Sequence, residues 1–325
     1  MAANKVTTVA AVGVGTIGAS WATFYAVKGL NVRLYDAKPG VAEAARQRAR
    51  ENLARLRDLG LVRAAAARRA LARLTPVDTL EAALAGVEFV HESAVEQYEI
   101  KKPLFAALDR LTGPNVIIAS SSSGLLISEL QSVMKRPGRA LIAHPFNPPH
   151  LIPLVELVSG KKTAPATIRF AQEFFTALGK VPVVLKKEVP GHIANRLCAA
   201  LWREAIDLVA SGVATVEDVD KALYAGPGLR WAFMGSHLIY HLGGGPGGYA
   251  YFIEHIGKAF EAYWKDMATW TAIPEPAKRE VIKGVSGVGG QRSVAEIAEW
   301  RDERLAALLK VLYPTPAPRR RLKRG

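Results

Sequence analysis

Val9-Ala-Ala-Val-Gly-Val-Gly-Thr-Ile-Gly18 is the stretch from which the rest of the chain can be read. Its first four apolar residues predict a buried strand, and Gly13, Gly15 and Gly18 form G-x-G-x-x-G. Ile17, Trp21, Phe24 and Val27 then follow at helical spacing. In a strand-turn-helix unit the three glycines have separate tasks: a tight turn, close backbone approach by a pyrophosphate, and close packing of helix on strand. The helix start at Thr16 and Ile17 offers free N–H groups and the positive end of a dipole to the phosphates.

A second strand, Val32-Arg-Leu-Tyr35, ends at Asp36, which lies 21 residues beyond Gly15. There a dinucleotide fold places an acid for the ribose hydroxyls. Such a carboxylate repels a 2′-phosphate, so NAD is expected rather than NADP, a preference slightly weakened by Lys38. The alternative, a glycine turn in a sheet protein that binds no nucleotide, is opposed by the agreement of strand, glycines, helix and acid.

With 325 residues the chain can hold two domains, each with its own core. Half the residues are hydrophobic, yet no apolar run approaches the ~20 residues that span a bilayer, so no membrane association is expected. The N-terminal residues lead straight into the first strand without a signal-peptide pattern, and Cys198 is the only cysteine. A cytoplasmic setting is expected on both counts. Leu197 and Ala199 beside Cys198 predict a buried structural thiol rather than a nucleophile.

The formal charge of +14 is concentrated in two places. Nine arginines between Arg46 and Arg73, against Glu51 and Asp58, carry +7, and Arg319 to Arg324 adds five more. One basic helical segment and one proline-led tail, expected to be disordered, are not a groove across a domain. Aromatic interleaving is absent too, so nucleic acid is not the expected partner. The hairpin's arginines could attract an anionic substrate arm or simply form a solvated face.

Along the chain, Val41, Ala45, Ala49, Leu53 and Leu56 predict a long helix, followed by a second from about Ala64 to Leu74; together they read as a helical hairpin at about 41–74. Strand-helix alternation resumes with Val87–Val90, Val116–Ala119, Ala140–Ala143 and Val181–Leu185, with a helix over Ala166–Leu178. The fold expected is α/β, a doubly wound, mostly parallel Rossmann sheet followed by an all-α C-terminal domain. The boundaries expected are 1–186, 187–313 and a basic tail, 314–325. Asn195–Ala210 carries a helical stripe, Thr215-Val-Glu-Asp218 resembles a capping box, and Gly243–Gly248 reads as a flexible connection because no strand precedes it.

Ligands of open α/β sheets lie beyond the carboxyl ends of the strands. One strand there runs into Ser120-Ser-Ser-Ser123 and another into His144. Oxidising an alcohol with NAD needs a base for the hydroxyl proton while hydride leaves carbon, and imidazole suits that task. His144 is the candidate by its strand position, unlike His150, His237, His241 or His255. Glu156, an acid inside an apolar run, could hold its other ring nitrogen, although a buried His–Glu pair can also be purely structural. His237 and His241 have the spacing of a zinc pair but lack a third ligand, so no metal is expected.

Glu96 with Lys101, Ser120–Leu125, His144-Pro-Phe-Asn-Pro148, Leu154-Val-Glu156 and Pro190-Gly-His-Ile-Ala-Asn195-Arg-Leu197 occur in an order that resembles the 3-hydroxyacyl-CoA dehydrogenase family. The resemblance covers nearly the whole chain. It implies that His144 is the base with Glu156 its partner, and that Ser123 and Asn195 hydrogen-bond the substrate oxygen. Glu96 and Lys101 then lie on the cofactor side, and a homodimer forms through the helical domain.

Gly226-Pro-Gly-Leu-Arg-Trp-Ala-Phe-Met-Gly235, Leu201-Trp-Arg-Glu204 and Gly289-Gly-Gln-Arg-Ser293 depart from the pattern of the CoA enzymes. They are similar to the branch acting on small free 3-hydroxy acids. The substrate so implied is L-carnitine, with L-gulonate or a 3-hydroxyacyl-CoA as alternatives and an NAD-binding, crystallin-like structural role as the non-enzymatic one. Trimethylammonium groups bind over aromatic faces, and Phe146, Trp202, Trp231, Phe233 and Tyr240 could supply them, or could be core and interface residues.

Overall fold

The computed structural model describes residues 6–288, 290 and 292–314, so the basic tail lies outside the described residues apart from Pro314. Two compact units divide at Asn195/Arg196.

In the first unit, β1 (Thr8–Val12), α1 (Thr16–Val27) and β2 (Asn31–Tyr35) follow the opening motif, and α2 (Val41–Asp58) and α3 (Ala64–Ala72) form the basic hairpin. The expected end of α3 needs correction: Leu74 belongs to an edge strand, β3 (Leu74–Pro76). Three residues give no periodicity to read, and Pro76 is tolerated because the strand lies at the sheet edge. Next come α4 (Leu80–Leu84), β4 (Phe89–Glu92), α5 (Tyr98–Leu111), β5 (Ile117–Ser120), α6 (Ile127–Leu130), β6 (Ala140–Pro145), β7 (Leu154–Val158), α7 (Pro165–Ala177) and β8 (Val181–Leu185).

The sheet order is β3-β2-β1-β4-β5-β6-β7-β8. Strands β1 to β6 pair in parallel, β7 runs antiparallel to β6, and β8 is parallel to β7. Alternate residues of each central strand enter different cores: Val9, Ala11, Phe89 and Ala119 one, Ala10, Val12, Val90 and Ile118 the other. Burial on both faces explains why these strands read as continuous apolar runs. The α2 stripe Ala45, Ala49, Leu53 and Leu56 is buried as the spacing predicts, leaving its arginines on other faces.

The second unit is helical: most of α8 (Ala194–Ala210), then α9 (Val216–Ala225), α10 (Pro227–Trp231), α11 (Ser236–Gly243), α12 (Gly248–Tyr251), α13 (Gly257–Asp266), α14 (Glu275–Val288) and α15 (Val294–Leu312). Thr215 caps α9 by accepting from Asp218 N–H, and Gly245–Gly247 forms a single tight turn between α11 and α12. Buried apolar residues here are few: Ile206, Ile239, Ala268, Ala277 and Ala306. Cys198 is exposed, which overturns the expectation of a buried thiol. Its apolar neighbour Leu197 is 66% exposed, so that face of α8 is not covered by its own unit. Among the described residues no helix is long and apolar enough to cross a membrane.

Candidate active site

The parallel strands deliver the motif residues to one edge of the sheet. Gly13 adopts φ 79°, and a Cβ there would lie 2.5 Å from the backbone nitrogen of Ala94, so only glycine fits. A Cβ on Gly18 would collide with the Gly13 carbonyl, whereas one on Gly15 would meet nothing within 4 Å. That open side is where a pyrophosphate could approach. No side chain caps α1 and no acid occupies its first turn, so the N–H groups of Thr16 and Ile17 remain for an anion. Asp36 accepts from Val14 N (3.1 Å) and Lys38 N (3.0 Å), and Arg48 of the hairpin donates to the Val14 carbonyl (3.3 Å). The loop between the glycines is thus pinned from both sides, and the donor set suits a dinucleotide.

At the ends of β4 and β5 lies a buried polar network. Glu92 is wholly buried; it pairs with Lys101 (2.5 Å) and accepts from Ser120 Oγ (2.5 Å) and Ala94 N (2.6 Å). One carboxylate oxygen of Glu96 accepts from Ser122 Oγ (2.6 Å) and from the N–H groups of Ser123 (2.9 Å) and Gly124 (3.0 Å). Burial alone would raise the Glu96 pKa; the Ser122 and Gly124 hydrogen bonds and nearby Lys101 outweigh it and hold the pKa below its usual value. Glu96 therefore fastens the loop that carries Ser123. The sequence reading missed Glu92 because β4 extends two residues past the apolar run ending at Val90.

His144 and Glu156 stand directly opposite each other in the β6–β7 ladder. Opposed residues in an antiparallel pair point to the same face, so the register itself brings the side chains together. His144 Nδ1 donates to Glu156 Oε2 at 2.8 Å, and both residues are buried. The other oxygen, Oε1, accepts from the N–H groups of Ile193 (2.8 Å) and Ala194 (3.0 Å) at the start of α8. Burial would raise the Glu156 pKa, but the bonds from His144, Ala194 and Ile193 prevail and lower it. The carboxylate therefore stays charged, and His144 Nε2, which bonds no other described residue, can accept a proton. Ser123 Oγ and the Asn195 carboxamide likewise have no hydrogen-bond partner among the described residues.

The five aromatic candidates are shared between the two units. Phe146 follows β6 in the first unit. Trp202, Trp231, Phe233 and Tyr240 belong to the second and make no ring contact with one another; Tyr240 instead stacks on Phe252 (4.7 Å). His237 and His241 are engaged with Tyr249, through its hydroxyl (2.9 Å) and its N–H (3.1 Å).

Residues 8–189 match the family model "3-hydroxyacyl-CoA dehydrogenase, NAD binding domain", and residues 191–284 match "3-hydroxyacyl-CoA dehydrogenase, C-terminal domain". An L-carnitine dehydrogenase of Streptomyces coelicolor is 42% identical over 310 residues, spanning 94% of this chain and 95% of its own. One from Pseudomonas putida is 40% identical over 317 residues, spanning 97% and 96%. Among solved structures, the NAD+-dependent 5-formyl-3-hydroxy-2-methylpyridine 4-carboxylic acid 5-dehydrogenase superposes with a TM-score of 0.78 at 28% identity, over 94% of this chain and 98% of its own.

Proposed function

The chain belongs to the 3-hydroxyacyl-CoA dehydrogenase family, and on that premise we propose that it oxidises the 3-hydroxyl of L-carnitine, a free 3-hydroxy acid, to the ketone. It is an NAD-dependent oxidoreductase. When bound, NAD supplies the acceptor for the hydride that leaves C3. Gly15 and the N–H groups of Thr16 and Ile17 would hold the pyrophosphate, Gly13 and Gly18 would shape the turn beneath it, and Asp36 would hold the ribose, while Glu96 and Lys101 order the neighbouring loop on the cofactor side.

The observation that carries the mechanism is the buried His144–Glu156 pair. His144 takes the hydroxyl proton at Nε2, and its Nδ1–H stays on the Glu156 carboxylate, which offsets the charge of the imidazolium. Ser123 and Asn195 hydrogen-bond the reacting oxygen and fix the attack geometry. Of the aromatic residues, Phe146 lies two positions beyond His144, which supports it as a ring facing the trimethylammonium group.

The same reading includes a cytoplasmic homodimer built through the helical unit, supported by the uncovered apolar side chains of α8. Replacing His144 by Ala is expected to lower kcat about 10³-fold while leaving NAD affinity within about threefold. Steady-state kinetics and a fluorescence titration with NADH check this, and unchanged turnover removes the mechanism.

A further inference from the structure

His192 combines three features found together nowhere else among the described residues. Among the described residues it is the one other than glycine with positive φ, 52°, and it follows Gly191, whose φ is 76°. Its side chain is buried, at 3% exposure, yet Nδ1 has no hydrogen-bond partner. Its Nε2–H donates to the Ser122 carbonyl (3.0 Å), and its ring lies 5.0 Å from that of His144.

Left-handed backbone and an enclosed, unbonded nitrogen both oppose folding, and such costs gather where function holds them in place. Asparagine or glycine would suit the backbone better. A phenyl ring would fill the space without an orphaned nitrogen. Imidazole alone gives both a donor for Ser122 and a flat face for His144.

Those two contacts join the loop that presents Ser123 to the strand that presents the base. The turn that places the ring also releases the N–H groups of Ile193 and Ala194 toward Glu156. We propose that His192 is a positioning residue of the reaction: its imidazole sets the separation between the Ser123 hydroxyl and His144 Nε2, so that both meet one substrate oxygen. This rests on the roles given to Ser123 and His144 above.

The test uses the full chain carrying His192→Phe or His192→Asn, with L-carnitine and L-carnitine deuterated at C3. Because an error of about 1 Å in attack geometry can cost about 100-fold, both variants should lose about 10- to 100-fold in kcat, with KM and the NAD Kd within about threefold. The primary isotope effect should grow as hydride transfer becomes limiting. A purely structural residue would lower Tm and leave the isotope effect of the folded enzyme alone.

Turnover per folded enzyme within about twofold of the parent, with an unchanged isotope effect, overturns the proposal. If His192→Phe does not fold, His192→Asn, whose side chain tolerates the left-handed region, decides by the same measurements. A parent chain that forms no NADH with any 3-hydroxy acid breaks the functional reading instead.

Discussion

Up to Asn195, Trp21, Tyr25, Phe89, Phe105, Phe174 and Phe175 are all fully buried, whereas beyond Arg196 the large rings of Trp202, Tyr224, Phe233 and Trp264 are each more than 60% exposed. The first unit is a sheet with helices on both faces, so each strand's alternating residues find a core within one chain. In the second unit the longer helices carry apolar side chains, such as Leu197 and Trp202 of α8, that the unit leaves exposed. Exposed apolar faces of this kind fit the homodimer proposed above. The chemistry built into the first unit should therefore survive changes to helix faces of the second that destroy assembly.

The largest effect belongs to the buried dyad. Glu156→Gln keeps the shape and an acceptor for Ile193 and Ala194 but removes the charge facing His144, so kcat should fall about 100-fold with NAD affinity retained. The Glu156 pKa is lowered from 4.5 on folding, so its charge stabilises the fold above about pH 4.5, and this contribution is lost as the pH falls through the lowered value. Thermal unfolding of variant and parent should accordingly differ at pH 7 and converge in acid.

A smaller and different effect is expected from Leu197→Glu on the uncovered face of α8. It should shift sedimentation from dimer to monomer and speed the reaction of the neighbouring Cys198 with a thiol reagent, while NADH binding to the first unit persists. A parent chain that sediments as a monomer contradicts the assembly.

The smallest lies outside the dyad, at Lys180. Burial, and then the nearby Lys28, lower its pKa from 10.5 to about 7. Its amine still donates to the carbonyls of Pro149 and Ile152, which needs only the two hydrogens of the neutral form. Between about pH 7 and 10.5 the unfolded chain binds the extra proton, so stability should rise with pH across that window. Lys180→Met should flatten the slope, as read by chemical denaturation at stepped pH.

The residues legible in the sequence are those whose constraints are local. Gly13, Gly15 and Gly18 are fixed by a turn and a helix start, and the runs at β1, β2 and β5 by burial on both faces. His144 was legible as a polar residue at the end of such a run. That Glu156 faces it depends on the antiparallel register of β6 and β7, which no spacing specifies; the acid was visible and its partner only a candidate.

Glu92 and Lys101 meet because β4 and α5 are neighbours in space, and His192 carries a left-handed φ that its residue type does not announce. Cys198 was misjudged for the opposite reason: apolar neighbours predict burial only when something covers them. Trp202, Trp231, Phe233 and Tyr240 count in the sequence as a supply of rings, and spacing alone does not say which of them meets a substrate.

The substrate tests the account most directly. NADH formation by the parent chain should be followed, as kcat/KM, with L-carnitine, L-gulonate and 3-hydroxybutyryl-CoA side by side. The account predicts kcat/KM for L-gulonate and for the CoA thioester well below that for L-carnitine; NADH formed from either of them with none from L-carnitine would contradict it.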